Sequence, residues 1–145
     1  MAMMVLLGCS GCTMLSPTIK MQLQATNTLN LNEENECSLP VFVRVYQLAD
    51  VDKFERASFS DLWKNEKETL GNSLLSARQV RVLPETSLNL AFPQEEKAKY
   101  IALVAALKKP DGKYWRVVEP ISNVMRLMTT KVMKVQVTSS TVELL

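Results

Sequence analysis

The side chains of this chain with the greatest capacity for covalent chemistry are three cysteine thiols, Cys9, Cys12 and Cys37. The sequence contains no histidine, which removes the commonest general base, the usual catalytic triads and most zinc sites. Its four glycines are scattered and form no phosphate-binding loop. We therefore expect cysteine modification or cross-linking, and we expect no catalytic residue and no metal site.

Cys9 follows a short apolar run, residues 3–7, and the small residue Gly8. This order is typical of a lipoprotein signal, in which a peptidase cuts before the cysteine and the thiol is then acylated. We expect residues 1–8 to be a residual signal peptide, since they contain no basic residue, and residues 9–17 to be a lipidated tether. A covalent lipid on Cys9 is then the only non-protein group expected. The alternative is an apolar N-terminus that packs into the domain.

The remaining cysteines, Cys12 and Cys37, leave two interpretations open. An odd number of cysteines in an exported protein indicates one thiol with a special role. If Cys9 carries the lipid, Cys12 and Cys37 can form a disulfide in an oxidising compartment, which would connect the N-terminal arm to the first loop. Two free thiols are the alternative, because the sequence does not give the distance between them.

The composition is that of one globular domain. A length of 145 residues fits a single domain, and 47% hydrophobic with 22% charged residues allows an ordinary apolar core. The formal net charge of +2 gives no indication of nucleic-acid binding. No stretch of the sequence reaches the apolar length that is needed to span a bilayer.

Alternation of apolar and polar residues predicts a series of short strands. Val41–Leu48 is rich in β-branched and aromatic residues, and we expect it to be a central strand. Tyr100–Leu107 is an uninterrupted apolar run, typical of a strand buried on both faces. The other predicted strands are Ile19–Ala25, Ala77–Leu83, Leu88–Phe92, Tyr114–Glu119, Val124–Met128, Met133–Val137 and Val142–Leu145.

One helix is predicted between the strands. An i, i+3, i+4 spacing relates three apolar residues, Phe59, Leu62 and Trp63. Ser58 is the expected N-cap and Gly71 the expected C-cap. Together with Phe54, the aromatic side chains should form the apolar face that packs a helical insert, residues 54–71, against the sheet.

Eight or nine short strands with one helical insertion predict an all-β fold, an antiparallel β-sandwich over residues 18–145. Residues 26–40 interrupt the strand pattern with asparagines and glutamates. A loop of this length is often functional or mobile. A solvated loop tip with no partner is the alternative for its charged residues.

Several stretches of the sequence match one known family: Leu6–Cys9, Leu29-Asn30, Leu39–Leu48, Phe54, Phe59–Trp63, Thr69–Gly71, Tyr100–Leu107 and Tyr114–Arg116. In these residues the chain resembles the outer-membrane lipoproteins of bacterial type VI secretion systems, the TssJ (SciN, VasD) family. The resemblance implies a transthyretin-like β-sandwich with a small helical addition. It also implies acylation of Cys9 and anchoring at the periplasmic face of the outer membrane, and Ser10 is compatible with sorting to that membrane.

The partner implied by the resemblance is the periplasmic C-terminal part of the inner-membrane protein TssM. TssL belongs to the same trans-envelope membrane complex and would be reached indirectly. The family's partner-contacting segment corresponds to residues 26–40, in which Leu29 and Leu31 would be small apolar anchors among amides and carboxylates. The predicted partner-binding residues are Asn27, Leu29, Asn30, Leu31, Asn32, Glu33, Glu34, Asn35 and Glu36.

Two other classes of function remain open at this point. A lipid-anchored periplasmic binding module or accessory chaperone would recognise a peptide or glycan at an exposed sheet edge, with Ile19–Ala25 or Met133–Val137 as the edge strand. An enzyme without histidine would need a carboxylate pair or a Ser-Lys arrangement. Its candidate carboxylates have no spacing that indicates a site: Asp50, Asp52 and Asp61.

Overall fold

The structure, a computed structural model, describes residues 17–121 and 132–145. The strand predicted at Val124–Met128 lies outside these residues. In chain order the elements are β1 (Thr18–Ala25), β2 (Val41–Leu48), α1 (Asp52–Arg56), α2 (Phe59–Leu70), a 3-10 turn (Gly71–Ser73), β3 (Leu74–Val82), β4 (Ser87–Pro93), β5 (Tyr100–Ala105), β6 (Arg116–Pro120), β7 (Val132–Val137) and β8 (Val142–Leu144).

The strands form two four-stranded sheets, with the orders β4-β1-β7-β8 and β3-β2-β5-β6. The predicted β-sandwich with a small helical part is therefore confirmed. One detail of the prediction is wrong, because β1 and β7 pair in parallel while the other pairs are antiparallel. These two strands are far apart in sequence, so no short hairpin constrains their relative direction.

The expectation that Ile19–Ala25 or Met133–Val137 is an edge strand is wrong. These segments are β1 and β7, which lie side by side in the interior of the first sheet. The outer side of β1 is paired with β4, and the outer side of β7 is paired with β8. Neither strand has a free row of backbone hydrogen-bonding groups for a peptide to join.

Strands β2 and β5 are buried on both faces, as the sequence predicted for β5, and β2 is the central strand that was expected. Val41, Val43 and Val45 of β2 point into the core between the sheets, while Tyr46 and Leu48 are buried on the opposite face beneath the helices. In β5, alternate residues divide between the same two cores, so that a helical layer is needed to cover the second sheet.

Helix α2 begins and ends where its sequence predicts. The Ser58 hydroxyl accepts a hydrogen bond from the Asp61 backbone N–H at 3.1 Å, and the Asp61 carboxylate accepts one from the Ser58 N–H at 3.1 Å. This reciprocal pair is a capping box. At the other end Gly71 has a φ of +53°, which glycine adopts readily. Helix α1, with five residues, is too short to show a helical period in the sequence.

Arg44 connects strand β2 to a kink in helix α2. Asn65 has non-helical backbone angles (φ −134°, ψ 44°), and an interruption of this kind leaves helix carbonyls without their usual donors. The Arg44 guanidinium donates to the carbonyls of Leu62 and Trp63 at 3.3 and 2.9 Å and pairs with the Glu66 carboxylate at 3.1 Å. One side chain thus donates hydrogen bonds to the carbonyls at the kink and attaches the helix to the sheet.

A continuous stack of side chains extends from this arginine, and we call it the aromatic stack: Arg44, Trp63, Phe59 and Trp115. The guanidinium carbon of Arg44 lies 4.1 Å from the Trp63 ring centroid. Trp63 stacks on Phe59 at 5.3 Å, and Phe59 meets Trp115 edge-on at 5.4 Å. Phe54 is fully buried and the other insert aromatics are half-buried, so the predicted apolar face of the insert is confirmed.

Among residues 17–121 and 132–145, no helix has the length and apolar character to cross a membrane.

The first prediction tests the arginine at the helix kink. Arg44→Lys should lower the free energy of unfolding by about 1–3 kcal/mol, because lysine cannot reproduce the planar set of donors or the stacking on Trp63. Urea denaturation followed by tryptophan fluorescence measures this change. Arg81→Lys is the matched control, since Arg81 is exposed and opposes Phe42 in the neighbouring strand β3. Equal stability of the two variants would contradict the role given to Arg44.

Candidate partner-binding site

The loop of residues 26–40 crosses from one sheet to the other at one end of the sandwich, which we call the loop end. Three other connections share this end: residues 83–86 between β3 and β4, residues 106–115 between β5 and β6, and residues 138–141 between β7 and β8. Backbone hydrogen bonds join the last two connections and the loop, as in Asn30 N–H to Thr138 O at 3.3 Å and Asp111 N–H to Ser140 O at 2.9 Å. The loop therefore rests on neighbouring backbone.

The opposite end of the sandwich, which we call the tether end, is where β1 begins. Pro17, the first described residue, accepts a hydrogen bond from the Gln94 N–H at 2.8 Å through its carbonyl. An eight-residue strand spans about 24 Å from its first to its last residue. Strand β1 thus separates Pro17, the last residue of the predicted tether, from the loop end by the height of the sandwich.

Leu29 and Asn30 are buried inside the loop, which corrects the prediction that Leu29 is an exposed anchor. Leu29 is 0% exposed and packs into the core between the sheets. Asn30 has a φ of +45°, and its side-chain oxygen accepts a hydrogen bond from the Lys108 N–H at 2.6 Å. An apolar side chain among polar ones gains more free energy in the core than at the surface. Both residues hold the loop in place, and their side chains are not available to a partner.

The rest of the loop folds back on itself. Asn32 and Cys37 form an isolated antiparallel bridge, with the Asn32 N–H donating to the Cys37 carbonyl at 2.8 Å. The Leu39 N–H donates to the Leu29 carbonyl at 3.1 Å. The Ser38 hydroxyl donates to the carbonyl of Asn27. These bonds give the loop a defined backbone path, although it contains no regular strand.

Two lysines from the β5–β6 connection hold one side of the loop. The Lys109 ammonium lies 2.6 Å from the Glu33 carboxylate, and the hydrogen bond it donates holds the pKa of that carboxyl below its ordinary value. The Lys108 ammonium donates to the Asn32 side-chain oxygen at 3.0 Å. These partners are 76 residues apart, so no local sequence signal could have predicted the contacts.

The loop carries a short, exposed acidic tip, which we define as Glu34, Asn35 and Glu36. All three residues are exposed. Among the described residues, the carboxylates of Glu34 and Glu36 have no ion-pair partner. Of the other predicted binding residues, Asn27 is exposed and Leu31 is half-buried. The structure thus brings the predicted residues together but leaves a smaller set open to a partner.

Two of the three cysteines, Cys9 and Cys12, lie outside the described residues. Cys37 is an exposed free cysteine near the loop tip. The six residue-to-residue steps from Cys12 to Thr18 span at most about 20 Å, while β1 rises about 24 Å toward the loop end. A Cys12–Cys37 disulfide would therefore need an arm that runs back along the sheet almost fully extended, and the pairing stays a prediction.

The aspartates considered for catalysis have local structural roles. Asp61 belongs to the capping box, and hydrogen bonds from Ser58 hold the pKa of its carboxyl below the ordinary value. The Asp50 carboxylate accepts a hydrogen bond from the Asp52 backbone N–H at 2.8 Å. Within residues 17–121 and 132–145, no cluster of three or more acidic or cysteine side chains could hold a metal ion.

Comparison with known proteins decides the family. A model of the type VI secretion lipoproteins that include VasD, EvfM and TssJ matches residues 17–140. The chain belongs to this family of type VI secretion lipoproteins. The family indicated by the sequence resemblance is therefore confirmed. A search of curated proteins gave no match.

Solved structures share the fold over nearly the whole chain. The type VI lipoprotein TssJ1 from Pseudomonas aeruginosa is 21% identical, with a TM-score of 0.81, over 90% of this chain and 96% of that one. A chain of a type VI membrane complex is 26% identical, with a TM-score of 0.78, over 90% and 99%. A chain in a structure of the TssM C-terminal domain from EAEC is 25% identical, with a TM-score of 0.75, over 88% and 97%.

The second prediction concerns the buried asparagine of the loop. Asn30→Ala should lower the free energy of unfolding by about 1–3 kcal/mol, because the Lys108 N–H loses its acceptor and alanine tolerates positive φ poorly. Urea denaturation measures the loss, and hydrogen exchange should become faster in residues 31–37. Asn27→Ala is the control, since that side chain is exposed. Unchanged exchange in residues 31–37 would contradict the role of Asn30 in holding the loop.

Proposed function

We propose that this lipoprotein is anchored by lipid on Cys9 at the periplasmic face of the outer membrane and binds the periplasmic C-terminal part of TssM through its loop. The observation that carries the proposal is the acidic tip, Glu34 to Glu36, which is exposed on a loop with a buried base. The structural similarity to a chain in a TssM C-terminal domain structure supports the choice of partner.

Contacts within the domain fix the loop in place, and this favours binding of a partner. Leu29 in the core, Asn30 on the Lys108 backbone and Glu33 on Lys109 restrict the loop before any partner arrives. A segment that is already ordered loses less conformational entropy on association, so that more of its contact energy contributes to affinity. The unpaired carboxylates of Glu34 and Glu36 then guide a basic surface toward the tip.

The anchor and the loop lie at opposite ends of the sandwich in this proposal. A single acyl chain gives only marginal membrane binding, so a multiply acylated cysteine is needed for stable attachment. A tether of nine residues, 9–17, spans at most about 30 Å. The tether end would therefore stay near the membrane, while the loop end would face the periplasm and contact TssM there.

The role proposed for this protein is a structural one. Neither catalysis nor a cofactor other than the covalent lipid is part of it. TssL belongs to the same membrane complex and would be reached only through TssM, because the lipid holds this protein at the outer membrane. The protein thus connects the outer membrane to the trans-envelope complex by one covalent anchor and one protein interface.

The third prediction tests the loop tip. The double variant Glu34→Lys and Glu36→Lys should weaken binding to the periplasmic part of TssM at least about tenfold, because two unpaired carboxylates become repulsive charges. Isothermal titration calorimetry measures the Kd. The matched control reverses two adjacent exposed glutamates at the tether end, Glu95→Lys and Glu96→Lys. If both double variants bind equally well, the interface lies elsewhere.

The fourth prediction tests the anchor. Cys9→Ala should move the protein from the membrane fraction to the soluble periplasmic fraction, because the acyl attachment point is lost. Cell fractionation followed by immunoblotting measures the distribution. Cys12→Ala serves as the control and should leave the protein in the membrane fraction. The opposite result, with release by the Cys12 variant alone, would place the lipid on Cys12.

A further inference from the structure

The loop by itself lacks the residue types that usually supply affinity. Residues 26–40 contain no aromatic residue and no arginine. Stable interfaces bury about 800 Å² on each partner, and most of their binding energy comes from a few tryptophan, tyrosine and arginine side chains. Charged tips affect association rate and orientation more than affinity. A partner held at the loop tip therefore needs apolar anchors nearby.

Two exposed aromatic side chains lie at the same end of the sandwich. Phe42 is 46% exposed and Tyr114 is 56% exposed, and every other aromatic side chain in the described residues is buried or half-buried. An aromatic side chain buries about 150–250 Å² when it is fully covered. Each of the two rings thus leaves an area on the order of 100 Å² open to a partner.

Backbone hydrogen bonds place both residues at connections that share the loop end. The Phe42 carbonyl accepts from the Ala106 N–H at 2.9 Å, at the start of the β5–β6 connection. Tyr114 ends that connection, and its carbonyl accepts from the Val142 N–H at 2.7 Å. The lysines that contact the loop, Lys108 and Lys109, lie in the chain between Ala106, which bonds Phe42, and Tyr114. The rings therefore flank the segment on which the loop rests.

The aromatic stack contains residues that adjoin both positions in the chain. Phe42 precedes Arg44 by two residues, so the two side chains share one face of β2, and Tyr114 directly precedes Trp115. Both ends of the stack are held, since Arg44 bonds the kinked helix and Trp115 is 9% exposed. Two exposed rings on a rigid base are pre-ordered contacts and lose little entropy on binding.

We propose that Phe42 and Tyr114 are the apolar anchors for the same partner that the loop tip binds, which rests on the function proposed above. The complementary partner surface is an apolar segment beside basic side chains, because the neighbouring tip carries the unpaired carboxylates of Glu34 and Glu36. The interface then consists of an acidic tip that orients the partner and an aromatic pair that holds it.

The experiment measures binding of the whole chain, extracted in detergent, to immobilised periplasmic TssM by biolayer interferometry. Phe42→Ala and Tyr114→Ala should each raise the Kd at least about tenfold, mainly through faster dissociation. Val132→Ala is the matched control, because Val132 is 52% exposed and pairs with Lys20 near the tether end of β1. The conservative variants Phe42→Tyr and Tyr114→Phe should bind as the wild-type chain does, and thermal melting should show all variants folded.

The outcomes separate this inference from the function on which it rests. Both alanine variants could bind like the wild type while the double variant Glu34→Lys and Glu36→Lys binds more weakly. In that case the assignment of Phe42 and Tyr114 as anchors is wrong and the proposed function stands. If the wild-type chain does not bind, the proposed function is wrong and the anchors are wrong with it. Weaker binding by both alanine variants, with the Val132 and conservative variants unaffected, supports the inference.

Discussion

Burial of strands β2 and β5 on both faces is the constraint on which the rest of the structure depends. One face of each strand fills the core between the sheets, and the other requires a cover that the helices α1 and α2 supply. The Arg44 guanidinium fastens this cover by donating to two carbonyls exposed at the kink of α2. The helices on the outer face of the second sheet therefore follow from one apolar requirement.

Packing against the same core also orders the loop. Leu29 is a loop residue that belongs to the core between the sheets, and Asn30 beside it bonds the backbone of Lys108. A polar loop with a buried base keeps a defined shape, so its acidic tip can act as a binding surface. Strand β1 places this surface at the opposite end from Pro17, so the proposed lipid anchor and the loop would act at separate ends of the sandwich.

The sequence predicted those elements whose signal is local. The valines of β2, the apolar run of β5 and the Ser58 and Gly71 caps of α2 each depend on residues close in the chain. Parallel pairing of β1 with β7, burial of Leu29 and the contacts of Lys108 and Lys109 with the loop depend on residues far apart in sequence. Helix α1 was missed because five residues do not establish a period. Cys9 and Cys12 lie outside the described residues, and their roles stay predictions.

Hydrogen–deuterium exchange of the chain, alone and with the periplasmic part of TssM, tests the central claim most directly. The account predicts slower exchange on binding in residues 31–37 and 110–115, and unchanged exchange at residues 93–99 of the tether end. Protection of the loop end alone would show that the partner meets the acidic tip and the adjoining aromatic residues. Protection confined to the tether end or to the free edge of β3, with the loop unchanged, would contradict the account.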